Sequence, residues 1–142
     1  MQPFRLKSMK QRKLGNTELE VSEVGFGTWT IATNWWGQSD DADLMLNTAL
    51  DCGINFYDTA PAYGDEGLGE TIMAPFIKAH KDEIIVTTKC GYDIHAERPK
   101  EHSERPHNWS RDSIISQTED SLRRLGLEAI DLMQLHNARI DA

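Results

Sequence analysis

Short apolar runs alternate with amphipathic helical stretches along most of this sequence, which restricts the folds open to it. The apolar runs lie at 23–29, 54–58, 83–89 and 129–136, and the helical stretches between them lie at 40–52, 67–79 and 111–125. This order predicts an α/β fold of parallel strands joined by right-handed crossovers. The run at 83–89 is nearly continuous in apolar and β-branched residues, as in a strand buried on both faces.

A β-hairpin is predicted before the first of these strands. Two alternating runs at 10–14 and 18–22 flank a Gly15-Asn16 turn. Residues 1–9 are expected to form an N-terminal extension, so the predicted domain covers residues 10–142. No internal repeat or low-complexity segment competes with this organisation.

Helix ends and helix faces are marked by residue type. Ser39 is the predicted cap of the first helix, and Ser110 that of the third, because a serine oxygen accepts bonds from the free N–H groups of a first turn. Pro75 is expected to kink or shorten the second helix. The predicted apolar faces comprise Leu44, Met45, Ala49 and Leu50; then Ile72, Met73, Phe76 and Ile77; then Ile114, Ile115, Thr118, Leu122 and Leu125.

Charge and cysteine usage exclude several classes of function. The 142 residues carry a net charge of −8 with no long basic run, which disfavours nucleic acid and anionic membranes as partners. No stretch is long and apolar enough to cross a bilayer, and residues 1–15 do not resemble a signal peptide, so a cytoplasmic location is expected. Cys52 and Cys90 form neither a disulfide framework nor a metal-ligand pair.

Two loops carry side chains that need an interpretation. The loop at 31–37 contains Trp35 and Trp36, which either form an apolar wall for a ligand or pack on their own loop. The long polar loop at 91–109 is of a length that is usually functional or mobile. It contains His95, His102 and His107, whose spacing matches no metal-ligand pattern, so they are expected to be solvated and no metal site is predicted.

Three of the predicted strands end in an ionisable residue: Asp58, Lys89 and His136. Each run is apolar until that residue. Because the carboxyl ends of parallel strands meet at one rim of the sheet, where parallel α/β folds place their sites, the three side chains are expected to converge. Tyr63 follows Asp58 after a tight turn and is expected at the same rim.

Together these four side chains suit proton transfer to a carbonyl group. A tyrosine has a pKa of about 10, and a neighbouring ammonium group lowers that pKa by favouring the phenolate. Asp58 would keep Lys89 charged and in place, and the His136 imidazole would orient a carbonyl oxygen. Tyr63 is therefore the predicted proton donor. Since none of these groups supplies a hydride, a nicotinamide cofactor is expected.

The segments that carry these residues resemble the aldo-keto reductase family. They are GFGTW at 25–29, GINFYDTAPAYG at 53–64, VTTK at 86–89, SLRRLG at 121–126 and IDLMQLH at 130–136. Their order and spacing are more specific than any one motif, and the match runs from about residue 10 to the end.

The resemblance implies a fold and an activity. The fold is the first half, about four β/α units, of a TIM-type (β/α)8 barrel whose N-terminal hairpin closes the bottom. The activity is the NADPH- or NADH-dependent reduction of aldehydes or ketones, or the oxidation of the corresponding alcohols or sugar lactols.

The resemblance also implies a role for each residue. Tyr63 is the implied general acid, Lys89 lowers its pKa, Asp58 pairs with Lys89, and His136 orients the substrate carbonyl. The implied contacts with the nicotinamide end of the cofactor are Gly27, Thr28, Trp29 and Asp58, and those with the carbonyl or sugar substrate are Trp35, Trp36, Tyr63 and His136.

The chain departs from the family pattern in two ways. Gly69 stands where the family often has serine, which is expected to affect only the start of a helix. The 142 residues also fall short of the roughly 250 of such a barrel. They lack the second half, with which the family holds most of its cofactor, and the chain is expected to be truncated and inactive alone.

Two hypotheses of function follow. In the first, the chain is half of an enzyme, and a second half-barrel or a homodimer covers the exposed edges of its first and fourth strands. In the second, it is a truncated, non-catalytic module that binds a partner and no cofactor. A metal-dependent barrel hydrolase is disfavoured because the first three strands offer no histidine ligands to join His136.

Overall fold

A computed structural model describes residues 9–33, 41–98, 100 and 103–138. Its strands are β1 Gln11–Lys13, β2 Glu20–Ser22, β3 Phe26–Gly27, β4 Phe56–Asp58, β5 Ile85–Cys90 and β6 Leu132–Leu135. Its helices are α1 Trp29–Ala32, α2 Ala42–Asp51, α3 Leu68–His80 and α4 Arg111–Leu125. Strands β3-β4-β5-β6 form one sheet in that order, each parallel to its neighbour, which confirms the predicted parallel α/β arrangement.

The predicted hairpin is confirmed and lies at the amino end of the parallel sheet. β1 and β2 pair antiparallel around a turn in which Gly15 has a φ of +56°. Asn55, the residue before β4, anchors the hairpin: its side-chain oxygen accepts from the Ser22 N–H at 2.7 Å, and its amide donates to the Glu20 carbonyl at 2.9 Å. The opposite rim of the sheet therefore stays clear of the hairpin.

The region around α1 and α2 differs from the prediction. Trp29 and Ile31 belong to the short helix α1, not to a strand end and a loop. The predicted cap Ser39 lies outside the described residues; Asp41 caps α2, and its carboxylate accepts from the Leu44 N–H at 2.9 Å.

The apolar face of α2 was also placed wrongly at two positions. Leu44 and Met45 are 60% and 40% exposed, whereas Leu46 and Ala49 are buried. The physical reason is the neighbouring strand: the carbonyl of Leu46 accepts a 3.0 Å bond from the buried Tyr57 hydroxyl, which turns that side of the helix to the core.

The other two helices follow their predicted limits closely. Gly67, with a φ of +79°, precedes α3, and the helix runs through Pro75 to His80, so of the two effects expected of Pro75, a kink or a shortening, the shortening does not occur. The Ser110 hydroxyl caps α4 by accepting from the Ser113 N–H at 3.3 Å. Ile115, predicted to be buried, is 40% exposed.

The core lies between the sheet and the helices and is centred on Tyr57, which is fully buried between the rings of Phe26 and Phe76. A buried charge ties the helices to the sheet. Glu70 accepts from the Thr88 hydroxyl and from the Arg124 guanidinium, both at 2.6 Å. No helix within the described ranges could cross a membrane.

Candidate active site

The expected convergence at the carboxyl rim is present. Lys89 lies on β5, next to β4, and its ammonium group donates to both carboxylate oxygens of Asp58 at 2.6 and 2.7 Å. The third donor position is used by the Thr59 carbonyl at 2.9 Å. Adjacent parallel strands thus place a charge pair at one point, and all three Lys89 donors are satisfied.

Tyr63 reaches the same pair from the turn after β4. Its N–H donates to the Ala60 carbonyl at 3.1 Å, and Gly64 follows with a φ of +78°. The phenol donates to an Asp58 oxygen at 3.2 Å, while the Lys89 nitrogen lies 4.7 Å from the ring centroid. The ammonium group therefore faces the ring, and the carboxylate meets the hydroxyl.

This geometry reverses the expected direction of the Tyr63 pKa. Burial raises the pKa of Tyr63 well above its ordinary value, and the charge and hydrogen bond of Asp58 raise it further. Burial also lowers the pKa of Lys89, although the Asp58 carboxylate opposes that effect. The ammonium group faces the ring, but the Asp58 carboxylate bonds the hydroxyl, so burial and Asp58 set the direction of the Tyr63 pKa and the hydroxyl keeps its proton.

Gly69 proves to matter beyond the helix start. Its N–H donates to the Tyr63 carbonyl at 2.8 Å. A Cβ at this position would lie 2.9 Å from the Tyr63 Cβ and 3.0 Å from the Thr59 hydroxyl. The expectation that this departure affects only the start of α3 is therefore wrong, because a larger residue here requires a shift of Tyr63 or of the helix against it.

His136 directly follows β6 and completes the group of four, here called the tetrad (Asp58, Tyr63, Lys89 and His136). Its ring lies edge-on to the Tyr63 ring, with 5.8 Å between centroids. Burial lowers the pKa of His136 from 6.5 to about 4, and the Lys89 charge adds to that effect. At neutral pH the imidazole is uncharged and can donate a hydrogen bond.

Gln134 also belongs to the site and was missed by sequence reasoning. Its side-chain amide donates to the Thr87 hydroxyl at 2.6 Å and to an Asp58 oxygen at 3.2 Å. A signal was available, since Gln134 is the one polar residue within Leu132–Leu135 and is two positions from His136.

The long polar loop was interpreted incorrectly at His107. His95 is exposed, as expected, and His102 lies outside the described residues. His107, however, stacks between the Tyr92 and Trp109 rings at 4.4 and 4.7 Å, and its Nε2 lies 3.0 Å from the His136 carbonyl oxygen. Within the described residues, no group of three His, Cys, Asp or Glu side chains could hold a metal ion.

The predicted cofactor contacts cluster at the end of β3. A Cβ built on Gly27 meets no atom within 4 Å, so open space adjoins Asp58, its partner on β4. Thr28 is fully buried, and its hydroxyl donates to the Thr59 hydroxyl at 2.8 Å, so its side chain stabilises the residue that follows Asp58. Trp29 is half-buried at the start of α1. The predicted substrate residues Trp35 and Trp36 lie outside the described residues.

Comparison with known proteins places this geometry in a family. The model of the Aldo/keto reductase family matches residues 23–141. Aldo-keto reductase YhdN of Bacillus subtilis is 36% identical over 132 residues, which cover 90% of this chain and 38% of that protein. The NADH-specific methylglyoxal reductase of Escherichia coli is 34% identical over 137 residues, covering 90% of this chain and 42% of that protein.

Solved structures give the same result. The holo form of aldo-keto reductase AKR11C1 from Bacillus halodurans superimposes with a TM-score of 0.76 at 36% identity, over 94% of this chain and 42% of that one. A putative aldo-keto reductase from Pseudomonas aeruginosa superimposes with a TM-score of 0.79 at 28% identity, over 98% and 51%. The chain thus spans about two fifths of the length of its curated relatives and corresponds to the first half of their barrel.

Proposed function

The chain belongs to the aldo/keto reductase family, and we propose that it supplies the proton-transfer half of an NAD(P)H-dependent carbonyl reductase. The observation that carries this proposal is the tetrad itself. Three strand ends and one turn bring a phenol, an ion pair and a neutral imidazole together at the carboxyl rim of the sheet.

Tyr63 is the proposed general acid. Because burial and Asp58 keep its proton on the phenol, the hydroxyl can deliver it to a carbonyl oxygen as negative charge develops there. The neutral His136 imidazole donates a hydrogen bond to the same oxygen and orients it. In the reverse direction, Tyr63 takes the proton from an alcohol or sugar lactol.

Lys89 and Asp58 hold the proton donor in place. As the phenol gives up its proton, the ammonium group under its ring stabilises the phenolate that forms. The Asp58 carboxylate fixes Lys89 with two short bonds, and Gln134 fixes the carboxylate in turn. The pair is thereby preorganised before a substrate arrives.

The end of β3 suits the reacting end of a nicotinamide cofactor. The open space over Gly27 lies beside Asp58, so a flat ring can approach the backbone closely there, with Trp29 adjacent. When bound, the cofactor supplies the hydride that reduces the carbonyl carbon. Gly27, Trp29 and Asp58 are the proposed contacts, supported from below by Thr28.

The remaining partner is the polypeptide that covers the sheet edges. β3 and β6 are the outer strands of the sheet: within the described residues β3 pairs only with β4, and β6 only with β5. A further half-barrel, or a second copy of this chain, would cover both edges and the cofactor. The proposed substrates are small aldehydes, ketones or sugars, in line with relatives named as a methylglyoxal reductase and an L-galactose dehydrogenase.

A cofactor titration and a tyrosine variant test the proposal together. NADPH and NADH fluorescence is titrated with the purified chain, alone and supplemented with a polypeptide carrying four further β/α units, and methylglyoxal and sugar aldehydes are offered as substrates. We expect Tyr63→Phe to lower kcat by about 100-fold or more while cofactor affinity is unchanged.

Tyr57→Phe is the matched control. It removes a phenol hydroxyl that bonds Leu46 in the core, so it should lower stability without lowering kcat. If the parent chain neither binds cofactor nor reduces a substrate, whether alone or supplemented with the further polypeptide, the result would instead favour the non-catalytic module. Full activity in Tyr63→Phe would show that another group donates the proton.

A further inference from the structure

We propose that His107 is a positioning residue that sets the orientation of the His136 imidazole, a role that rests on the proposed function of His136. Within the described residues, the hydrogen bond and ring contacts of His107 go to His136, Tyr92 and Trp109, and not to the phenol or the charge pair. From the loop at 91–109 it contacts the main chain of His136 directly, and it reaches the His136 ring only through Tyr92.

The main chain of His136 is held from both sides. Its N–H donates to the Cys90 carbonyl at 2.8 Å, which continues the pairing of β5 with β6. Its carbonyl oxygen lies 3.0 Å from His107 Nε2, and since a carbonyl can only accept, Nε2–H is the donor. The next residue, Asn137, has a φ of +52°, so this bond holds the chain at a point where it leaves the strand in an uncommon conformation.

Ring contacts extend this hold to the imidazole. A column of five rings, here called the aromatic column, runs from the loop to the proton donor. Its successive centroid distances are 4.7, 4.4, 4.5 and 5.8 Å through Trp109, His107, Tyr92, His136 and Tyr63. Tyr92 also accepts a 2.7 Å bond from the Asn137 amide. Rotation of His136 would therefore disturb its contact with Tyr92 and, through Tyr92, the stack on His107.

His107 is itself placed firmly. The two ends of its loop are joined by backbone bonds from Asp93 to Pro106 at 2.8 Å and from Asn108 to Gly91 at 2.7 Å. The Gly91 N–H donates to Gln117 on α4 at 2.7 Å. The position of His107 is thus set by strand β5 and helix α4, not by free loop motion.

Two variants separate the hydrogen bond from the stack. His107→Phe keeps a ring between Tyr92 and Trp109 but removes the donor to the His136 carbonyl. His107→Gln keeps an amide donor in a position close to Nε2 and removes the ring. Phe and Gln are both neutral, so a difference between the two variants cannot arise from a charge at position 107. The other charged groups that act on His136 are Lys89, Asp58 and Glu104, and both variants retain them. His95→Phe, on the same loop but exposed, is the control.

The first readout needs no catalysis. NMR titration of the His136 imidazole in the full chain should show its pKa rising by about one unit in His107→Phe, as the ring loses its fixed, buried place. The His136 amide should also exchange faster with solvent. His107→Gln should restore most of the parent behaviour, and His95→Phe should reproduce it fully.

The second readout is kinetic and is used where the chain reduces a carbonyl substrate. His107→Phe should then lower kcat by about tenfold, with cofactor affinity unchanged, and His107→Gln should recover most of that loss. If the parent chain is inactive, the proposed function fails. The role of His107 is then still tested by the NMR titration, which does not require catalysis.

Three results would overturn the role of His107. One is an unchanged His136 titration in His107→Phe; another is an equal change in His107→Phe and His107→Gln, which would mean packing alone. If His107→Phe does not fold, His107→Asn replaces it, because the shorter amide cannot reach the carbonyl. An unchanged titration in that variant is the third.

Discussion

Within the tetrad, the ion pair of Asp58 and Lys89 (the ionic half) and His136 (the imidazole half) are held in place by different means, and Tyr63 contacts both. Asp58 and Lys89 stand on adjacent strands, and two bonds shorter than 2.8 Å join them directly. His136 stands at the end of the outermost described strand, and its orientation depends on contacts from the loop at 91–109. The ionic half thus follows from strand pairing, whereas the imidazole half depends on a loop that reaches across from β5.

This contrast indicates where the site can be altered independently of its scaffold. Removing either ionic partner leaves an unpaired charge beside the buried Thr59, which follows β4, and near the buried Thr87 and Thr88 of β5, so the sheet itself is affected. Loosening the loop should affect His136 first, because the hydrogen bonds of the ion pair to other described residues go to Thr59, Tyr63 and Gln134. The following predictions test that separation.

The largest effect is expected from Gly91→Ala. Gly91 has a φ of +113°, and a Cβ there would lie 1.9 Å from the Trp109 ring, so both backbone strain and a clash arise. We expect the free energy of unfolding to fall by about 3 kcal/mol or more, measured by urea denaturation. Gly27→Ala is the control, because its Cβ meets no atom within 4 Å and stability should change little. An effect of equal size in both variants would contradict this account of the loop.

Lys89→Met should have the next largest effect. It leaves the Asp58 carboxylate without its main partner, and the side chains of Lys89 and Asp58 are only 12% and 29% exposed. After allowance for that exposure, we expect a loss of about 2 kcal/mol in unfolding free energy. In Asp58→Asn/Lys89→Met, part of this loss should be recovered, and a double-mutant cycle measures it. Purely additive losses would show that the pair is not coupled.

Acid should destabilise the imidazole half in a defined pH range. The folded-state pKa of His136 is about 4, below its ordinary 6.5. Between these values the unfolded chain binds a proton that the folded chain does not, so stability falls as the pH drops from 6.5 to 4. We expect His136 to contribute about 1–2 kcal/mol of this fall, with its partial burial taken into account. Urea midpoints across that range should depend less on pH in His136→Gln; identical slopes would contradict the shift.

Much of the fold and the ionic half was predictable because both depend on local patterns. Alternation of strands and helices indicated the parallel sheet, and an ionisable residue at the end of three of the four apolar runs indicated Asp58, Lys89 and His136. The proposed role of His107 was not predictable, since it depends on a stack of His107 on Tyr92, which lies 15 residues earlier in the chain. The expected direction of the Tyr63 pKa shift was wrong for a similar reason. Residue types do not reveal whether the ammonium group or the carboxylate lies nearer the hydroxyl.

The smallest effect is expected at Gln134, which links the two halves. Gln134 lies on β6, two residues before His136, and its side-chain amide donates to both Asp58 and Thr87. Gln134→Leu keeps the side-chain size but removes both bonds, so we expect a loss of about 1 kcal/mol in unfolding free energy. Because Lys89 still holds Asp58 with two bonds, the NMR titration of His136 should stay close to that of the parent chain. A His136 shift as large as in His107→Phe would mean that the ionic half, not the loop, sets the imidazole, and the separation of the two halves would fail.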